Sequence, residues 1–92
     1  MRYRSRTDII SQILEAASGG ATKTKIMYRA FLSYAQLKEY LNILTTNGLL
    51  DYNSSEQIFR TTEKGGKFLK LYSLIGEIAP SSADESVPAR RK

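Results

Sequence analysis

The stretch TKTKIMYRAFLSYAQLKEYLNILTTNGLLDY, residues 22–52, decides how this chain folds. Thr22 is an N-cap candidate, and Ile26, Met27 and Ala30 at helical spacing give a short helix that Phe31-Leu32 leave. Ser33 caps a longer helix, in which Leu37, Leu41 and Leu44 fall at i, i+4 and i+7 on one stripe with Tyr40 beside it. Asn47-Gly48 stops that helix, because Gly48 can take the left-handed conformation a helix C-terminus favours. Leu49-Leu50-Asp51-Tyr52 then reads as a strand.

Outward from this stretch the pattern continues in both directions. On the N-terminal side, Ile9, Ile10, Ile13, Leu14, Ala16 and Ala17 keep helical spacing, with Thr7-Asp8 expected as N-cap and first-turn anion and Gly19-Gly20 as the end. Arg2, Arg4 and Arg6 alternate with polar residues and read as a basic arm. On the C-terminal side, Asn53-Ser54-Ser55-Glu56 is turn chemistry and Gln57-Ile58-Phe59-Arg60 is the partner strand. Thr61-Thr62 caps a last helix whose inner face is expected to be Phe68, Leu71, Tyr72, Ile75 and Ala79. Leu69, Leu74 and Ile78 widen its apolar arc beyond what one small core requires, and Pro80 stops it. Pro80 to Lys92 is Ser, Ala, Pro and charge, the composition of a disordered tail.

The order is therefore helix, helix, helix, strand, strand, helix: a mostly α fold with a small β-hairpin. A short helix, a turn and a longer helix form a helix-turn-helix, and the hairpin directly after it is a wing. A lone hairpin is unstable, so Leu49, Ile58 and Phe59 are expected to pack it against the first and third helices. The expected organisation is an arm over residues 1–6, a winged helix-turn-helix domain over 7–79, and a tail over 80–92.

Composition narrows the chemistry. The 92 residues include no His and no Cys, which removes the commonest general base, a thiolate nucleophile, a disulfide and a Cys/His zinc site. No cofactor, metal site or enzymatic activity is expected. Scattered carboxylates are expected to cap, pair or solubilise. Lys64-Gly65-Gly66-Lys67-Phe68 lacks the spacing and the hydroxyl of a phosphate loop. No apolar run approaches a membrane span and no apolar segment follows the N-terminal arginines, so a soluble, cytoplasmic domain is expected. Fourteen Lys and Arg against nine Asp and Glu give a net charge of +5. From Met1 to Phe31, six cations stand against two anions, so most of the excess lies in the first third of the chain. Such a balance suits a phosphate-binding surface, and equally suits simple solubility.

At this point the chain resembles the small archaeal winged helix-turn-helix proteins, including the archaeal chromatin-associated DNA-binding proteins of similar size. The residues carrying the resemblance are Asp8-Ile9-Ile10, Ile13-Leu14-Glu15-Ala16, Thr22 to Tyr28, Leu32-Ser33-Tyr34, Leu37, Tyr40-Leu41, Asn47 to Leu50 and Thr61 to Gly65. The resemblance implies double-stranded DNA as partner, bound by the third helix and wing, and a homodimer formed through the C-terminal helix. In the chromatin-type relatives that helix is long and forms an antiparallel coiled coil. Here Pro80 shortens it, leaving Leu69, Leu74 and Ile78 as the candidate seam.

On this frame the candidate DNA contacts can be named. Gln36 is the best base reader, since an amide pairs bidentately with adenine, and Asn42 lies further along the same helix. Ser33 and Tyr34 suit phosphate or sugar, and Lys38 suits phosphate. Lys23, Lys25 and Arg29 surround the second helix, whose N-terminus favours an anion, while Tyr28 is read as core. Arg60 is the hairpin's cation, the turn itself carries none, and Arg2, Arg4 and Arg6 would compensate as a flexible arm. Three functions fit: a transcription regulator, a less specific chromatin-like binder, and a winged-helix protein-interaction module.

Overall fold

The computed structural model describes residues 4–78, with the side chains of 77 and 78 left aside. The elements are α1 (Arg6–Ala16), α2 (Lys23–Ala30), α3 (Tyr34–Thr46), β1 (Leu50–Asn53), β2 (Ile58–Thr61) and α4 (Glu63–Ile78). Arg2 and residues 80–92, read above as part of the arm and as the tail, lie outside the described residues.

Local chemistry sets the helix ends. Thr22 and Ser33 cap α2 and α3 as expected, their hydroxyls accepting from Lys25 N and Gln36 N. At α3 the Gln36 side chain returns the bond, accepting from Ser33 N at 3.1 Å, which completes a capping box. The start of α1 differs from expectation. Ser5, not Thr7, is the N-cap, because Asp8 stands three residues after it and closes the same reciprocal pair. The end of α3 closes with Leu49 N donating to Leu44 O at 2.9 Å and Gly48 N to Thr45 O at 3.1 Å, with Gly48 at φ +78°.

The core is built from one stripe of each of the first three helices. Ile13, Leu14, Ile26, Leu37 and Leu44 are fully buried, with Tyr40, Leu41, Leu50 and Phe59 closing the edges. The hairpin is antiparallel, with Leu50 opposite Thr61 and Tyr52 opposite Phe59. It also gains a third partner that periodicity does not reveal. Ala21 N donates to Phe59 O at 2.9 Å and Phe59 N to Ala21 O at 2.8 Å, so the residue before the α2 cap acts as a one-residue strand. Thr61 joins the hairpin to α1, its Oγ1 donating to Leu14 O at 2.6 Å and its N to Ala17 O at 3.1 Å. The first satisfies a carbonyl that the C-terminus of α1 leaves unpaired, while Ala17 O accepts from Gly20 N as well.

Helix α4 lies over α1 and the hairpin by a face rotated from the one expected: Phe68 and Tyr72 turn inward as expected, Leu71 and Ile75 do not, and Ala79 lies outside the described residues. Gly65 is buried, Phe68, Leu69 and Tyr72 are half-buried, and Leu71 and Ile75 are exposed. The inward stripe is thus Gly65, Phe68, Leu69 and Tyr72, at i, i+3, i+4 and i+7. Its rotation follows from Gly65. A β-carbon there would overlap Leu49 O and stand 2.7 Å from Thr61 Cγ2. Further along, the Tyr72 hydroxyl donates to Asp8 Oδ1.

The arm is the largest correction near the N-terminus. Arg6 is the first residue of α1, with its guanidinium 5.5 Å from the centre of the Tyr40 ring. Arg4 donates to the Gln12 side chain, to Ala30 O and, at 3.0 Å, to Phe31 O. Both arginines fasten α1 to the helix-turn-helix instead of extending from it.

The close approach at residue 65 yields a paired test by urea unfolding. Gly65→Ala should lower stability by about 1–3 kcal/mol through overpacking. Gly66→Ala, where a β-carbon meets nothing within 4 Å, should raise it by roughly 0.5–1 kcal/mol.

Candidate nucleic-acid interface

Two cations from different helices converge on one aromatic ring. Lys23 Nζ, at the start of α2, lies 5.8 Å from the centre of the Tyr34 ring, and Lys38 Nζ, one turn into α3, lies 6.0 Å from it. Tyr34 is the first residue of α3 and is 56% exposed. Its negative face holds both ammonium groups near the two helix N-termini without removing them from water. The result is a compact positive patch beside backbone N–H groups, the combination that suits a phosphate.

The remaining predicted positions divide around this patch. Ser33 and Gln36 adjoin it, but both serve the α3 capping box. The Gln36 amide oxygen is engaged by Ser33 N, so its nitrogen is the atom turned to other uses. Asn42 is exposed further along α3. Lys25 is two residues beyond Lys23 and so about 200° around the helix, on a different side. Arg29, one turn after Lys25, lines a hollow with Gln12, Glu15, Ala16 and Ser18 of the α1 region. Arg60 Nη2 lies over Gly20, only 3.0 Å from where a β-carbon would be, and Arg60 stands opposite Asp51 in the hairpin. Arg4 and Arg6 make the contacts to Gln12, Ala30, Phe31 and Tyr40 described above.

Three exposed aromatic residues were not marked as contacts by spacing. Tyr28, read as core, is 71% exposed, and Phe31 is 80% exposed. Tyr52 packs on Phe59 with ring centres 4.6 Å apart and planes tilted by 40°, and lines a groove with Glu56 and with Thr22, Lys23 and Thr24 at the start of α2. The wing therefore meets the helix-turn-helix on the Lys23 side. Its tip is an Asx turn, Asn53 Oδ1 accepting from Ser55 N and Glu56 N, with Gln57 at φ +57° leading into β2.

On α4, Leu69 packs against the core, so it is not free to form a seam. Leu74 is 48% exposed, and the Ile78 side chain lies outside the described set. The exposed apolar edge is instead Leu71, Leu74 and Ile75. Among the described residues, no helix is long and apolar enough to cross a membrane, and no group of three acidic, His or Cys residues is placed to hold a metal ion.

Comparisons with known proteins agree with this architecture. The chain is 37% identical over 79 residues to the uncharacterized protein MJ0287 of Methanocaldococcus jannaschii, covering 84% of this chain and 76% of that one. It superposes on the crystal structure of Sso10a-2, a DNA-binding protein from Sulfolobus solfataricus, with a TM-score of 0.73 and 25% identity, covering 82% of this chain and 81% of that one. The family model described as winged helix-turn-helix matches residues 3–79, and the chain belongs to that family.

Proposed function

We propose that this protein binds double-stranded DNA through its helix-turn-helix and acts as a transcription regulator. The observation that carries the reading is the meeting of Lys23 and Lys38 on Tyr34, which gathers positive charge where two helix N-termini face outward. The DNA-binding relative of the same fold supports it. In this reading α3 enters the major groove, Tyr34, Lys23 and Lys38 hold the backbone, and the Gln36 amide nitrogen and Asn42 face base edges. Ser33 acts by setting the start of α3. The wing contributes through Tyr52 near Lys23 more than through its tip, whose one charged residue is the anionic Glu56. Lys25, Arg29 and Arg60 add general positive potential from the flanks.

One observation favours the second reading, a less specific architectural binder. The Gln36 oxygen is held by the capping box, which leaves a single outward donor where adenine recognition uses a donor and an acceptor together. Selection of bound sequences from a random pool separates the two. A regulator yields a defined motif that Gln36→Ala relaxes at one position. An architectural binder yields none, and the substitution changes nothing in the selected pool.

The assembly in this reading is a homodimer, joined by the Leu71, Leu74 and Ile75 edge of α4, with Ile78 next in the same helical spacing. Replacing Leu71 and Ile75 together by Glu leaves the core stripe untouched. Sedimentation velocity should then show a dimer for the native chain and a monomer for the variant. A native monomer at micromolar concentration would end the dimer proposal.

DNA binding itself is tested by fluorescence anisotropy with a random duplex of about 30 base pairs over several salt concentrations. Lys23→Ala and Lys38→Ala should each reduce the salt slope by about 1. Lys25→Ala should reduce it less, because Lys25 is on another side of α2. Equal slopes for all three variants would remove the Tyr34 patch from the interface.

A further inference from the structure

The turn between α2 and α3 holds a bulky side chain in an expensive backbone conformation. Phe31 takes φ +54° and ψ +54°. Leu32 N donates to Met27 O at 3.1 Å and Phe31 N to Tyr28 O at 3.4 Å, the same closure that ends α3, where Gly48 occupies the left-handed position. Glycine adopts that conformation freely, whereas a β-branched or bulky residue there is a steric outlier. Burial does not offset the cost, for the Phe31 ring is 80% exposed, and no other ring stacks on it among the described residues. Arg4 holds the turn from beneath, donating to Ala30 O and Phe31 O.

The surroundings indicate what the ring meets. Three residues before and after it in sequence, Tyr28 and Tyr34 are 71% and 56% exposed. Between Thr22 and Lys38 the chain carries Lys23, Lys25, Arg29 and Lys38 and no acidic residue. Exposed aromatic rings among cations are the chemistry of a surface that grips phosphates and stacks on the faces of bases. An apolar protein surface would have to cover those cations together with the rings, which costs desolvation.

We infer that Phe31, flanked by Tyr28 and Tyr34, is a stacking side chain for bases lifted out of the helical stack, a preference that rests on the DNA-binding reading above. The ligand class is DNA with unpaired bases, such as a bulge, a mismatch or a single-stranded junction. The regular duplex is held by the Tyr34 patch, and the unpaired base adds contact with Phe31.

The test compares a regular duplex of about 30 base pairs with the same duplex carrying a short bulge, by anisotropy at one salt concentration, using the full chain. The native protein should bind the bulged duplex about tenfold more tightly, the range expected for one stacked base. Phe31→Gly suits the left-handed backbone, so it should melt no lower than the native protein, keep its regular-duplex affinity and lose the preference. Equal affinities for the native protein, or a preference that survives Phe31→Gly, would overturn the inference. Failure to bind either DNA would overturn it together with the DNA-binding reading. Binding to the bulged duplex alone would uphold it while ending the duplex reading.

Discussion

The two backbone hydrogen bonds between Ala21 and Phe59 join the hairpin to the segment that leads into α2. A hairpin with four residues in each strand is marginal by itself, and chain connectivity ties it only to α3 and α4. Pairing with Ala21 makes it part of a small sheet whose third member leads directly into the α2 cap. Phe59 then closes the core, and Tyr52 is carried to the groove beside Lys23. The buried edge of the core and the attitude of the wing rest on that pairing together with the Thr61 bonds to Leu14 O and Ala17 O.

What could be read from the sequence follows from how local its cause is. Thr22, Ser33 and Gly48 act on their own helix ends, and the Leu37, Leu41 and Leu44 stripe needs only the helical repeat, so these were legible. Ala21 was not, because a single bridging residue has no periodicity and its partner is far along the chain. The inward face of α4 was hidden for a different reason. Its first member, Gly65, carries no apolar side chain, so the Gly65, Phe68, Leu69 and Tyr72 stripe looks weaker than the stripe through Leu71 and Ile75. Close backbone approach outweighs apolar count there. The Ser5 cap was masked by the arginines around it, although its spacing to Asp8 is that of a capping box. Among site residues, the types at Lys23, Tyr34 and Lys38 were legible, but their meeting requires two helices to be packed. Tyr28 and Phe31 were not identified as surface features because aromatic residues near a helix end are ordinarily assigned to the core.

The basic residues divide by chemistry. Arg4 and Arg6 are engaged with carbonyls and a ring face, where a planar group with several donors fits. Lys23 and Lys38 keep hydrated ammonium groups at the surface. Lys64 is the exception, donating to Asn47 O at 2.9 Å at the end of α3. Arg4 and Arg6 therefore help to shape the scaffold, while Lys23 and Lys38 offer charge at the surface.

Helix α4 is fixed at two points, its first turn by the backbone contact at Gly65 and its middle by the Tyr72 bond to Asp8. A helix held twice cannot roll about its own axis. Its outer edge consequently keeps a constant bearing relative to α3. In a pair of copies joined along that edge, the distance and angle between the two α3 helices would be constants of the assembly. The pair would act as a ruler, matching sites set one helical turn of DNA apart, about 34–36 Å, or a multiple of it. Two good half-sites shifted by half a turn would face opposite sides of the duplex, and this rigid ruler would span only one of them.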